Sequence, residues 1–171
     1  PLKRFPILVE NNRTVIETSI IIEYLQIHHP GPVRLIPRDP DAALEARTLD
    51  RFFDNYVSGP LQTIVGNQLR PPALRDPHGT DQARQLFDRA YAWLENTMQD
   101  RRWACGDSFT LADCAAAPSL FYADWTHPIS DAHPALLAYR QRLLARPSFA
   151  RAVEEARPYR SYFPLGAPDR D

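Results

Sequence analysis

The stretch that decides the fold is FPILVENNRTVIETSIIIEYL, residues 5–25. It holds two short apolar runs, residues 5–10 and 13–16, and Asn11-Asn12 between them tolerates the left-handed backbone of a tight turn. The two runs therefore predict a β-hairpin. Because a two-stranded sheet is marginal alone, we expect further strands or a helical cover, and the sequence reads as beginning within a domain.

Helical spacing of apolar residues follows the hairpin, and it predicts a helix from Thr18 to about His28. Pro30-Gly31-Pro32 ends this helix, and the chain to residue 38 reads as a linker. Asp39 then suits a helix N-cap, with Pro40 at the first helical position. A small α/β piece is thus expected before residue 38, and an all-helical domain after it.

The helical part is predicted from apolar periodicity and from 17 prolines that recur between the periodic segments. One helix carries an apolar face that suits core packing, made of Leu49, Phe52, Phe53 and Tyr56. Gly59-Pro60 is expected to interrupt it. Further helices are predicted over residues 80–98, 110–125, 134–146 and 148–156, and a proline-bearing aromatic tail follows from Pro158.

Composition narrows the classes of function. The net charge is −1, without a basic stripe carrying interleaved aromatic residues, so nucleic acid is not an expected partner. No apolar run approaches the roughly 20 residues of a membrane span. Cys105 and Cys114 are too far apart for a CxxC pair, and adjacent His28-His29 lacks a third ligand at metal spacing, so we expect no metal and a cytoplasmic location.

Glu17-Thr18 stands at the predicted junction of strand and helix. A helix N-terminus offers free N–H groups to a carboxylate, the Thr18 hydroxyl adds a donor, and Glu17 can accept from an ammonium group. The pair could therefore hold a free α-amino acid head. A plain helix cap is the alternative for this pair, and an edge-strand proline is the alternative for Pro6.

Phe5-Pro6-Ile7-Leu8-Val9, followed by Glu17-Thr18 and then by Ile21, Tyr24 and Leu25, resembles the glutathione-site half of the thioredoxin-like domain in glutathione transferases. The resemblance implies a cis bond before Pro6 and backbone pairing of Phe5 with the cysteinyl unit of glutathione. It also implies that Glu17 and Thr18 hold the γ-glutamyl head. The implied fold is an incomplete thioredoxin-like piece over residues 1–30, a linker over 31–38 and an all-α bundle over 39–171.

The later sequence resembles the same family. Asp107-Ser108-Phe109-Thr110-Leu111-Ala112-Asp113 is similar to its helix-start motif, in which Thr110 and Asp113 form a reciprocal cap with a structural role. Pro118 falls within the following helix and should free a carbonyl near Cys114. A small buried thiol is the expected role of Cys114.

The resemblance implies an enzyme that activates the thiol of glutathione for attack on, or exchange with, a small hydrophobic electrophile. The electrophile would lie in a cleft between domains, lined by Phe52, Asn55 and Tyr56. A homodimer is the implied assembly. Dehalogenase, isomerase and peroxidase chemistry stay open, as does a binding or scaffolding protein without catalysis.

The thiolate-stabilising residue of the family lies on an opening strand that would precede Pro1, so the catalytic residue is unknown. The 171 residues alone are expected to show little transferase activity.

Overall fold

The computed structural model describes Lys3 and residues 5–171, so Pro1, Leu2 and Arg4 of the predicted first unit lie outside the described residues. Strands β1 (Ile7–Glu10) and β2 (Arg13–Ile16) pair antiparallel, as the apolar runs predicted. Positive φ angles of 46° at Asn11 and 66° at Asn12 close the hairpin tightly, which is the backbone that asparagine tolerates.

Helices make up most of the described chain, and the expected change from a small hairpin unit to a helical domain is confirmed. The α-helices are α1 (Thr18–His28), α2 (Pro40–Phe52), α3 (Gly59–Gln68), α4 (Pro77–Met98), α5 (Leu111–Thr126), α6 (Pro134–Ala145) and α7 (Pro147–Ala156). A π-helical segment at Phe53–Ser58 joins α2 to α3, and short 3₁₀ turns lie at Pro72–Leu74 and Arg157–Tyr162.

Acidic caps followed by proline begin two of the longer helices. Asp39 caps α2 by accepting from the backbone N–H of Ala42 at 2.9 Å, as its position before Pro40 predicted. Asp76 does the same for α4, accepting from Gly79 at 2.9 Å. The predicted start of α4 at residue 80 is therefore wrong by three residues, because the Asp76-Pro77 signal lies upstream of the apolar periodicity.

The predicted interruption at Gly59-Pro60 is also wrong, because the chain stays helical from α2 through α3. Proline lacks an N–H and clashes with the carbonyl four residues earlier in a regular α-helix. A wider π turn just before Pro60 relieves that conflict. The segment also changes which side chains face inward: the buried residues recur every four positions, at Leu49, Phe53, Val57 and Leu61.

The core of the helical domain lies between α2, the π segment and α3 on one side and α4, α5 and α6 on the other. Its largest fully buried side chains include Phe53, Phe87, Tyr91, Leu120 and Tyr139. The sheet is not covered by this core, since Ile7 is 56% and Val9 63% exposed.

The predicted reciprocal cap of α5 is present and extends into the core. Asp113 accepts from the backbone N–H of Thr110 at 2.8 Å, and the Thr110 side chain completes the capping box. Asp113 is fully buried and also accepts from the Ala104 N–H at 2.8 Å and the Tyr139 hydroxyl at 2.7 Å. One carboxylate therefore joins the loop before α5, the start of α5 and the middle of α6.

The linker ties the hairpin unit to the helical domain. The Gln26 side chain donates to the carbonyl of Ile36 at 3.1 Å and accepts from its N–H at 2.9 Å. The N–H of Leu111, the first residue of α5, donates to the carbonyl of Leu35 at 2.8 Å. The side chain of Ile36 is buried against Ala43 and Leu111. These contacts fix where α1 lies relative to α2 and α5.

In the part of the chain that the structure describes, no helix is long and apolar enough to cross a membrane. Nor do three or more His, Cys, Asp or Glu side chains of residues 3 and 5–171 come together in a group that could hold a metal ion.

Candidate functional site

The candidate site begins where β2 passes into α1. Glu17 has φ 69° and ψ 121°, and a positive φ is uncommon for any residue other than glycine. This backbone turns the chain sharply, and the Glu17 carbonyl accepts the first helical bond, from Ile21 at 2.8 Å. No described side chain caps α1, so the N–H groups of its first turn are free for a ligand.

The hairpin register brings the other predicted residues to the same end of the sheet. Ile7 pairs with Ile16, so one further step along the same register leads to Pro6 on one strand and Glu17 on the other. The Phe5–Pro6 bond is cis, as the resemblance implied, and the Phe5 side chain is 92% exposed. The four residues predicted to bind glutathione thus cluster at one end of the hairpin.

A cleft of about 280 Å³ opens beside Glu17 and Thr18. Its polar wall is formed by α1, the end of α2 and the start of the π segment. Its apolar wall comes from α3 and α5 and consists of Leu61, Leu111, Ala115, Pro118 and Tyr122. A polar ligand head and an apolar ligand group would therefore meet different walls of one cleft.

Charged residues that the sequence analysis missed form the polar wall. The Asp50 carboxylate is 4% exposed and accepts from the Ser19 hydroxyl at 2.9 Å to each oxygen and from Arg51 at 3.0 Å. Arg51 also pairs with Asp54. Burial raises the pKa of the Asp54 carboxyl, Arg51 acts against that rise, and the negative charges of Asp50 and Glu17 add to it.

The only sequence signal for this cluster was the spacing of Asp50, Arg51 and Asp54 away from the apolar stripe. Such a spacing is ordinary on any exposed helix face. Ser19 lies 31 residues before Asp50, so their contact depends on the tertiary fold.

The two cysteines lie in different places, but burial raises the pKa of both thiols. Cys114 lines the cleft, and burial raises the pKa of its thiol from an ordinary 9.0 to about 11. Burial also raises the pKa of Cys105, whose sulfur accepts from Thr110 Oγ1 at 3.4 Å. Both thiols are therefore protonated near neutral pH and are poor nucleophiles.

The structure does not bring Phe52, Asn55 and Tyr56 to the cleft beside Glu17. Phe52 stacks on Trp93 of α4 with ring centroids 4.3 Å apart. Asn55 lines a groove between α3 and α4, and Tyr56 is 47% exposed beside Phe52. The π segment causes part of this difference, since its wider turn rotates Tyr56 away from the stripe that regular helical spacing predicts.

Comparison with known proteins agrees with this architecture. The sequence matches the family model of the glutathione S-transferase C-terminal domain over residues 72–142. A solved glutathione S-transferase from Methylobacterium radiotolerans, in complex with glutathione sulfonate, is 33% identical and superposes with a TM-score of 0.76. That superposition covers 90% of this chain and 73% of the other.

Two curated relatives extend the comparison. FtsZ-localized protein A of Caulobacter vibrioides is 33% identical over 155 residues, which span 84% of this chain and 67% of the relative. A probable glutathione S-transferase of Nicotiana tabacum is 27% identical over 114 residues, which span 67% of this chain and about half, 47%, of the tobacco protein. The chain belongs to the glutathione S-transferase family.

Proposed function

We propose that this chain binds glutathione at the start of α1, as part of a glutathione transferase that acts on a small hydrophobic electrophile. The observation that carries the proposal is the junction at Glu17 and Thr18, where a positive-φ residue precedes an uncapped helix N-terminus at the edge of a cleft. Free N–H groups and the helix dipole favour a carboxylate at this position.

The charges of the cleft favour the γ-glutamyl head of glutathione, which carries an ammonium group beside its carboxylate. Glu17, Asp50 and Asp54 supply three carboxylates, and Arg51 is the guanidinium among them. This excess of negative charge stabilises an ammonium group, while the α1 N-terminus receives the carboxylate. A zwitterionic head matches both features.

The cysteinyl unit would pair with the backbone of Phe5. An extended peptide gains main-chain hydrogen bonds when it aligns beside a strand end. The thiol would then point towards the apolar wall of Leu61, Leu111, Ala115, Pro118 and Tyr122, where an electrophile can be held. Neither cysteine replaces the thiol of glutathione in this proposal, because the pKa of each is raised by burial.

The catalytic step is attack of a glutathione thiolate on the electrophile. Glutathione's thiol has an ordinary pKa near 8.5, so a donor that favours the thiolate is needed for a fast reaction at neutral pH. That donor is unassigned. Two free, protonated thiols suit a reducing compartment, and the cytoplasm is the proposed location.

We call Glu17 and Thr18, at the start of α1, the clamp. Glutathione titration by calorimetry tests whether the clamp binds glutathione. Glu17→Ala and Thr18→Val should each weaken binding by about 1–3 kcal/mol, the range for removing a partner from a charged or buried hydrogen bond. Glu155→Ala on α7 and Thr48→Val on α2 are matched controls, because both side chains are exposed outside the cleft. If both clamp variants bind glutathione as tightly as the unaltered protein, the proposal is wrong.

A binding or scaffolding protein is the second candidate, favoured by the 33% identity to FtsZ-localized protein A. Leu44, Tyr56 and Trp93 give α2, the π segment and α4 an exposed apolar face that suits contact with another protein, and a homodimer is the proposed assembly. Glutathione binding without turnover of chlorodinitrobenzene would favour the second candidate. A mass near 19.6 kDa by light scattering would count against the dimer.

A further inference from the structure

Three arginine side chains gather where the loop between α4 and α5 meets the end of α6. Arg142 of α6 donates from Nε to the carbonyl of Arg102 at 2.9 Å and from Nη2 to the carbonyl of Arg101 at 3.1 Å. Arg146 is the C-cap of α6, and its guanidinium carbon lies 3.9 Å from the ring centroid of Phe109. We call the following five residues the arginine patch: Arg102, Trp103, Phe109, Arg142 and Arg146.

Two aromatic rings connect the outer cations of the arginine patch. The guanidinium carbon of Arg102 lies 5.9 Å from the ring centroid of Trp103, and Trp103 meets Phe109 edge to face with centroids 5.1 Å apart. The guanidinium group of Arg146 covers a face of Phe109. Cation–π contacts and the backbone bonds of Arg142 thus hold the three guanidinium groups in place, so they lose less freedom when a ligand binds.

The positive charge of the arginine patch has no carboxylate partner among residues 3 and 5–171. Arg101 differs from its neighbour in this respect, since it pairs with Glu45 at 2.7 Å. Asp100 and Asp107, the acidic residues of the same loop, are exposed and pair with no described arginine. The Nη1 group of Arg142 is open to solvent and bonds to no described residue, so it can donate to a ligand.

We propose that the arginine patch binds an acidic peptide segment of another protein. A guanidinium group recognises a carboxylate through paired hydrogen bonds, and three such groups on one surface suit two or three Asp or Glu side chains of one segment. A nucleic acid fits less well, because both rings are half-buried and guanidinium groups cover part of their faces, which leaves little room for base stacking. The five residues of the patch lie outside the lining of the glutathione cleft, so this inference does not rest on the proposed function.

Fluorescence anisotropy of the unaltered protein, without glutathione, tests this surface. A labelled hexaglutamate peptide should bind roughly tenfold more tightly at low salt than hexaglutamine with the same label, and added salt should reduce the difference because it screens exposed charges. Equal affinity of the two peptides, or no binding of hexaglutamate, would overturn the proposal. A labelled oligothymidylate that binds more tightly than hexaglutamate would overturn it as well, since the patch would then suit a nucleic acid better.

Variants assign the binding to the arginine patch. Arg102→Gln and Arg146→Gln should each weaken hexaglutamate binding about threefold, the size expected for an exposed ion pair, and together they should remove nearly all of the preference over hexaglutamine. Arg102 is exposed, so its replacement alone should leave the fold intact. Arg84→Gln is the matched control, because Arg84 is exposed on α4 and the change removes the same charge. An equal loss in Arg84→Gln, or unchanged binding in the double variant, would contradict the proposal.

Discussion

The hairpin unit (residues 5–28) and the helical domain (residues 39–156) differ in how many hydrophobic side chains each one buries. Val15 is the buried hydrophobic residue among the described residues of the first unit, and α1 buries none. The helical domain encloses a continuous core with Phe53, Phe87 and Leu120 fully buried. The unit that carries the candidate clamp therefore depends on contacts with the helical domain for its position.

We expect the largest effect of a substitution in the helical domain, on the free energy of unfolding. Asp113→Ala leaves the N–H groups of Ala104 and Thr110 and the hydroxyl of Tyr139 without their acceptor. Each buried group without a partner costs about 1–3 kcal/mol, so the free energy of unfolding should fall by about 4 kcal/mol. Urea denaturation followed by circular dichroism measures the change.

Asp107→Ala is the control for this prediction, because Asp107 is exposed in the same loop and should change stability by less than about 0.5 kcal/mol. Combining Asp113→Ala with Tyr139→Phe should cost less than the sum of the two single changes, since the hydrogen bond between Asp113 and Tyr139 is lost in both variants. Equal stability of the Asp107 and Asp113 variants would contradict the importance of the buried network.

The next effect concerns the cleft between the two units. Because burial raises the pKa of Cys114 from 9.0 to about 11, its thiolate fraction at pH 8 should be about a hundredfold smaller than for an unperturbed thiol. In a Cys105→Ser background, alkylation of Cys114 should be correspondingly slow. Its rate should rise about tenfold for each pH increase of one until about pH 11.

The same protein unfolded in urea supplies the reference rate for Cys114. Folded and unfolded rates that agree at pH 8 would mean that the cleft does not suppress the thiolate, and Cys114 would return as a candidate nucleophile.

The Ser19 hydroxyl on α1 donates to the carboxylate of Asp50 on α2, and this is the least exposed hydrogen bond between the two helices, which Arg47 and Glu23 also join. Removing it with Ser19→Ala should reduce hydrogen-exchange protection across α1 by about 1 kcal/mol, while global unfolding stays nearly constant. Glutathione affinity should fall with it, because α1 loses its fixed position beside the cleft. Hydrogen exchange read by mass spectrometry checks the first effect and calorimetry the second.

A double-mutant cycle with Asp50→Asn should show a coupling of about 1 kcal/mol in the α1 protection. Ser108→Ala, at an exposed serine in the loop before α5, is the matched control. If Ser19→Ala lowers the free energy of global unfolding as much as it lowers the protection of α1, the two units unfold together. The hairpin unit would then not be the less stable of the two.

Features set by neighbours in sequence could be predicted from the sequence. The Asn11-Asn12 turn, the Asp39 cap and the Thr110–Asp113 capping box each depend on residues within a few positions of one another. The predicted hairpin accounts for Phe5, Pro6, Glu17 and Thr18 lying at one end of it, whereas their selection as a set came from the resemblance to glutathione transferases. Its role in binding glutathione stays a prediction.

Features set by long-range packing could not be predicted. The π segment depends on how Pro60 is accommodated against the core, and regular helical spacing therefore misplaced Phe52 and Tyr56. Asp50 looked like any charged helix residue until the fold brought Ser19 to it. The cavity lined by Trp125, Tyr159 and Phe163 likewise exists only because the segment after α7 folds back over Trp125.

The smallest effect lies within the hairpin unit. Glu10 accepts from the Tyr24 hydroxyl at 2.7 Å and contacts His29 at 2.7 Å, which joins the end of β1 to α1. The hydrogen bond from Tyr24, followed by the attraction of His29, lowers the pKa of the Glu10 carboxyl below its ordinary 4.5. The stabilisation that follows from this lowered pKa is present at pH values above the ordinary pKa of 4.5. It is lost as the pH falls through the pKa that Glu10 has in the folded protein.

Tyr24→Phe removes the main cause of that lowered pKa, so the Glu10 carboxyl should titrate closer to 4.5 in this variant. Side-chain carboxyl resonances followed by NMR between pH 2 and pH 7 measure the difference, with Tyr56→Phe, beside Phe52 in the helical domain, as the control. Because Glu10, Tyr24 and His29 are open to solvent, the change in global unfolding should be too small to detect. A Glu10 that titrates at the same pH in both variants would show that Tyr24 does not hold the end of β1 to α1 in solution. The hairpin would then depend on its turn, on the backbone pairing of β1 with β2 and on the burial of Val15.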